Sequence, residues 1–392
     1  MKEKIKYLTL SYGTAALQFL LLPPFVSALG KNGYGQYSYY LSIITWFCFF
    51  STLGSPTKIR KIAAAIIYSD ADYLNYKKKI SAAVFFVSIL SSFSCLVFYS
   101  LFDSFIGSVY IVLYSIFIIY SSYLISNDKV IYSAFFSLLI TVLPIASVIF
   151  LDALFINAEW SLRFFASSIL IFFIFISFDK VFFDFFKFSN LNASDLVETA
   201  KENFKLAPNG IYDKIVSQGD KVYVGAFFGV ETLAIYALGA QLSNILYITM
   251  KAFTVYMETK IYRKKIKIME VCMLFGGALP FVFVLYYIIS KLFPFLFSDE
   301  FYDVISILIF QLMVVLFRVF SNVLFSYDYA SEYSFSVLRN MFVQYFFLFT
   351  FCILLFFNGV DTIYQFSFYL MIFCSFGVLV NFCFCFYRER MR

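Results

Sequence analysis

Twelve apolar runs of membrane-spanning length set the terms for any fold of this chain. They cover residues 7–28, 37–53, 80–101, 108–125, 130–151 and 162–178 in the first half, and 206–228, 236–256, 268–293, 304–325, 336–357 and 366–386 in the second. Each is about 17 to 25 residues long, enough for a helix to cross ~30 Å of hydrocarbon. The 392 residues are 62% hydrophobic and only 14% charged, too few charges for a water-facing surface of this size. Because backbone polar groups in lipid must be satisfied within the spanning structure, the expected fold is an all-α polytopic membrane protein of about twelve transmembrane helices. The fourth and fifth runs are separated only by Ser126, Asn127, Asp128 and Lys129.

The basic residues fix an expected orientation. With the N-terminus in the cytoplasm, 23 of the 30 lysines and arginines fall in inner loops, inner edges and tails. Only Lys31, Arg163 and Lys291 lie outside, and Lys214, Lys221, Lys251 and Arg318 lie within spans. This is the positive-inside pattern of a multi-pass protein with both termini cytoplasmic. The opening MKEKIK and the small residues Val26, Ser27 and Ala28 resemble a signal peptide, but the length of the run, Pro23 and Pro24, and the membrane sequence that follows predict a retained first span.

All outer loops are short (29–36, 102–107, 152–161, 229–235, 294–303 and 358–365), which leaves no room for an external catalytic domain. Histidine is absent, so histidine bases, metal ligands and pH switches are excluded. The seven cysteines all sit in apolar runs and read as thiols rather than as bridges or metal ligands. No phosphate-cradling glycine loop, metal cluster or activated nucleophile is recognisable, and no basic, aromatic-interleaved surface suggests nucleic acid. No enzyme and no cofactor is expected.

The longest inner stretch, 179–205, mixes charges with Phe182, Phe183, Phe185 and Phe186 and reads as an amphipathic linker on the membrane surface. It joins two halves, an N-terminal lobe over 1–190 that includes the linker and a C-terminal lobe over 191–392. The halves look like repeats: Gly30 and Tyr37 bracket the first outer loop, and Gly229 and Tyr236 bracket its counterpart at the same spacing. Parallel repeats with an even number of spans build transporters whose site lies between the halves.

The seventh run carries most of the intramembrane charge. On an α-helix Asp213, Ser217 and Asp220 form an i, i+4, i+7 row, and Lys214, Gln218 and Lys221 form the same row one residue on. Charges at this depth are costly and must meet another helix, water or a ligand. With Lys251 and Arg318, the set holds two aspartates against four cations. A cavity with that surplus suits an anionic passenger, and an arginine fork suits phosphate. Pro23 and Pro24 in the first span, Pro144 in the fifth, and Gly276, Gly277 and Pro280 in the ninth are candidate bends; Pro23, Pro24 and Pro280 are expected hinges.

Several short motifs then point one way. They are Gly30-Lys31-Asn32-Gly33-Tyr34-Gly35-Gln36-Tyr37, the basic loop from Lys58 to Lys61, Asp220-Lys221 leading through Phe228-Gly229 to Tyr236-Ala237-Leu238-Gly239-Ala240-Gln241-Leu242, and Leu296, Phe297, Asp299, Glu300 and Tyr302. The chain resembles, over nearly its whole length, the O-antigen and lipid-linked-oligosaccharide flippases of the multidrug/oligosaccharidyl-lipid/polysaccharide exporter superfamily. That resemblance implies two six-helix lobes around a central cavity, alternating access, and an undecaprenyl-diphosphate-linked repeat unit carried from the cytoplasmic to the periplasmic leaflet of the bacterial inner membrane. It implies diphosphate and sugar contacts at Lys214, Asp220 and Lys221, with Lys251 and Arg318 as further candidates. One departure is Lys221, where the family often has arginine. Membrane lipid and the polymerase and chain-length proteins of the same pathway are the expected partners, and coupling to either Na+ or H+ is compatible with the residues. The competing readings are a polysaccharide polymerase, a polyprenyl-linked glycosyltransferase, and a small-molecule antiporter of the same superfamily.

Overall fold

The computed structural model describes residues 2–52, 82–90, 101–126, 130–153, 213–262, 268–330 and 359–390 continuously, with single residues or short runs between them. In the first half the long elements are α1 (Lys2–Thr52), α2 (Leu101–Ser126) and α3 (Val130–Ala153). In the second they are a π-turn (Ile215–Gly219), α4 (Asp220–Phe228), α5 (Val230–Tyr262), α6 (Ile268–Leu296), a 3-10 turn (Asp299–Phe301), α7 (Val304–Ala330) and α8 (Ile363–Arg390). Seven stretches of these helices are long and apolar enough to cross a membrane. The described residues are nearly all helical, and the protein is a multi-pass membrane protein. Most of the linker at 179–205, half of the span expected at 80–101 and most of those expected at 162–178 and 336–357 lie outside the described residues.

Described helices cover the spans expected at 108–125, 130–151, 236–256, 268–293, 304–325 and 366–386. The four residues between the fourth and fifth runs lie mostly outside the described residues, with α2 described up to Ser126 and α3 from Val130. The outer loops expected at 29–36 and 229–235 are different. Helix runs up to a single glycine and resumes at once after it. Gly30 has φ 65 and ψ 174, and Gly229 has φ 86 and ψ 169. Such a positive φ with an extended ψ is open almost only to glycine, so one residue does what the sequence assigned to eight or seven. The shared conformation, at the shared spacing to buried Tyr37 and Tyr236, is what two structural repeats produce.

The chain separates into two compact units. One comprises Met1–Gly33 with Tyr39–Lys214, and the other Tyr34–Ser38 with Ile215–Arg392. The lobe boundary expected at 190/191 falls outside the described residues. In the first unit, Ile59, Ile80, Val84, Ile119, Tyr120, Phe136 and their neighbours form a dry core, in which the Phe117 and Phe136 rings stack at 5.1 Å. In the second unit α7 is the centre: Ile307, Leu308, Leu312, Leu316 and Leu324 are fully buried as it packs against α5, α6 and α8. Pro23 and Pro24 lie within α1, Pro144 within α3, and Pro280 within α6.

Candidate functional site

The site is built where α4, α5 and α7 of the second unit meet. Its approach is the π-turn, whose residues Ile215, Val216, Ser217, Gln218 and Gly219 include two β-branched side chains and a glycine, all weaker α-formers than alanine. Single π-turns inside membrane and soluble helices often mark functional positions. Here the wider turn corrects the sequence expectation of one unbroken α-helical row. Asp213 precedes the turn, Ser217 lies within it and Asp220 follows it, so they do not share a regular 3.6-residue face. Asp213 and Lys214, both half-buried, belong with the first unit, whose boundary falls at the start of the turn.

Asp220 opens α4 and is buried. Both its oxygens are engaged: the Lys221 amide donates to Oδ1 at 2.7 Å, and the Tyr236 hydroxyl, from α5, donates to Oδ2 at 2.7 Å. Tyr236 is only 1% exposed. Its backbone carbonyl in turn accepts from Gln311 Nε2 of α7 at 2.9 Å, so a buried polar chain runs from α4 through α5 to α7. Phe366 of α8 closes the aromatic side, stacked on Tyr223 at 5.1 Å and edge-on to Tyr236 at 5.8 Å. Gly239 lies one turn below Tyr236 because a Cβ there would strike the Gln311 side chain.

The cations occupy the less buried side. Lys221 Nζ donates to the Ser217 carbonyl at 2.5 Å and reaches Gln218 Oε1 at 3.4 Å. Arg318 of α7 lies over the Tyr247 ring, with Cζ 5.3 Å from the centroid, a cation–π geometry. It is also close enough to act electrostatically on both Asp220 and Lys221. Ser217 Oγ is buried, with no hydrogen-bond partner among the described residues.

The structure thus brings together Ser217, Gln218, Asp220, Lys221 and Arg318 of the residues the sequence singled out. Lys251 lies on α5, but its side chain falls outside the described ones. Tyr236 and Gln311 are the residues that sequence reasoning missed. Tyr236 was visible only as a loop bracket, and Gln311 as an amide in an otherwise apolar run.

Comparison with known proteins adds the fold. Residues 1–139 match the family described as polysaccharide biosynthesis protein. The Vibrio cholerae MATE transporter VcmN, in a mutant form, superposes with a TM-score of 0.62 at 14% identity, covering 100% of this chain and 97% of that one. The chain has the MATE transporter fold. Further MATE structures, one described as bent and one as straight, superpose with TM-scores of 0.56 and 0.59 at 12% identity, each covering 99% of this chain and 94% of the other. No curated protein sequence matches. The likeness to these structures agrees with the expected all-helical membrane fold. The neighbour VcmN is itself a transporter.

Proposed function

We propose that this transporter is a flippase that moves an undecaprenyl-diphosphate-linked O-antigen or other polysaccharide repeat unit across the bacterial inner membrane. Movement runs from the cytoplasmic to the periplasmic leaflet by alternating access of the two lobes, with both termini in the cytoplasm. The observation that carries the reading is the pairing of Lys221 and Arg318 beside a carboxylate already engaged by Tyr236 and a backbone amide. Lys221 and Arg318 act on each other as like charges, and a diphosphate placed between them would relieve that repulsion in a medium where charge interactions are strong. The match of the first 139 residues to polysaccharide biosynthesis proteins supports a saccharide rather than a drug as passenger. Ser217 Oγ offers a buried hydroxyl to a phosphate or sugar oxygen.

The test is where the lipid-linked unit stops. Lys221→Ala with Arg318→Ala is expected to leave protein in the membrane while complete single units accumulate on the cytoplasmic face and surface polysaccharide is lost. Exported but unpolymerised units would instead identify a polymerase, and unfinished units a glycosyltransferase. Undiminished surface polysaccharide in the double variant would remove both cations from the mechanism.

A further inference from the structure

A second feature of the same unit has no part in that chemistry. Between α5, α6 and α7 lies a cavity of about 460 Å³, bordered by Met250, Val271, Gly277, Phe281, Val319 and Phe320 among others. Its volume lies within the ~300–1,000 Å³ typical of small-molecule sites. Among the described residues the lining carries no ionic side chain, and of its two threonines Thr249 already donates to the Ile245 carbonyl at 2.8 Å.

The paired glycines of α6 set the space. A glycine inside a helix costs ~1 kcal/mol relative to alanine, and membrane helices usually recover this through close backbone approach. Neither Gly276 nor Gly277 has such a neighbour: a Cβ added at either would meet nothing within 4 Å. Among the described residues, then, no close packing explains the pair. It leaves room.

The mouth of the cavity identifies what fills the room. Met273, 65% exposed, stands at it with Leu274 and Phe281, and the row continues along α6 through Phe283, Val284, Tyr287 and Ile288, all exposed and apolar. In a membrane protein that row is the lipid-facing surface, so the cavity is an inward extension of an interface already present. Water is not retained in an apolar cavity of this kind, and an empty one forfeits dispersion contacts along its whole wall. On α7 the lining residues Leu316, Val319, Phe320 and Val323 share one helical face by their i, i+3, i+4, i+7 spacing, and Arg318 is not on it. An anionic head held at Arg318 thus lies on the other side of α7 from the cavity. We infer that the cavity is a binding site for one acyl chain of a bilayer phospholipid, which enters sideways past Met273 and supports the Gly276–Gly277–Pro280 segment of α6.

Tryptophan fluorescence tests this in the full-length protein. The chain has two tryptophans, Trp46 and Trp160, and replacing both by Phe gives a silent background. Phe320, only 6% exposed, then becomes the probe as Phe320→Trp. In phosphatidylethanolamine/phosphatidylglycerol vesicles with brominated acyl chains, its emission should fall by the same fraction as that of the lipid-facing control Phe283→Trp. Adding Gly277→Leu, which fills the cavity, should restore the Phe320→Trp emission and leave the Phe283→Trp control quenched, which also reports correct insertion. Phe275→Trp, stacked on Phe320 at 4.3 Å, provides the same readout if Phe320→Trp does not insert. Emission as unquenched as that of the buried Phe293→Trp would overturn the inference. So would recovery of emission on adding a small mole fraction of undecaprenyl phosphate, which would assign the site to an isoprenoid chain. Neither result bears on the flipping assay, because no passenger is present.

Discussion

Removing one oxygen, by Tyr236→Phe, isolates the contact on which the polar site rests. The substitution keeps the ring, its edge-on contact with Phe366 and the Gln311 bond to the Tyr236 carbonyl. It deletes only the 2.7 Å hydrogen bond to Asp220 Oδ2. Hydrogen bonds to charged groups contribute ~1.5–3 kcal/mol, and a buried acceptor stripped of its donor bears the full desolvation cost. Asp220 and Tyr236 are both buried, so water has poor access to replace the donor. The expected loss is about 2 kcal/mol, or ~30-fold in the folded ratio. Unfolding by SDS titration in mixed micelles, followed by circular dichroism, measures it. A double-mutant cycle with Asp220→Asn assigns the effect, since the two changes share one interaction and should be coupled by ~1 kcal/mol or more. Additive losses, or an unchanged midpoint for Tyr236→Phe alone, would refute the reasoning.

Two further substitutions probe the same scaffold. Gly239→Ala drives a Cβ into the Gln311 side chain, which is anchored on the Tyr236 carbonyl and cannot swing away without losing that bond; overpacking of this kind costs ~1–3 kcal/mol, and shortening the partner in Gly239→Ala/Gln311→Ala should recover part of the loss in the same titration. Gly229→Ala places a side chain at φ 86, a backbone strain of about 1–3 kcal/mol, and Gly30→Ala at φ 65 should cost a similar amount; a much smaller loss in either would show that α1 or the α4–α5 junction relaxes to another backbone path.

The spans were legible in the sequence because lipid imposes a length and a composition on every helix that crosses it, and α7 and α8 begin, and α6 ends, close to the bounds of their apolar runs. The glycine breaks were legible as positions but not as conformations. Spacing shows that Gly30 and Gly229 correspond, but not that a single residue at positive φ could replace a whole outer loop. The π-turn left no trace in the pattern of apolar residues, since it is a choice of hydrogen-bond register made once neighbouring helices are in place.

The site was half legible for a related reason. Local charge is written in the sequence, so Asp220, Lys221 and Arg318 could be singled out as costly residues needing partners. Which partner closes on which charge depends on helices far apart in the chain: Tyr236 reaches Asp220 across the break at Gly229, and Gln311 reaches Tyr236 from 75 residues away. The partition that results has a physical consequence. Hydrogen bonds from Tyr236 and the Lys221 amide hold the carboxylate on the dry side, while Lys221 and Arg318 are only half-buried. A buried charge left without donors would cost several kcal/mol, so these two hydrogen bonds offset the cost of burying Asp220 close to Lys221. On the function proposed above, an anion arriving beside Lys221 would meet a carboxylate that is already hydrogen-bonded elsewhere, which suits reversible capture and release better than a tight Asp220–Lys221 ion pair would.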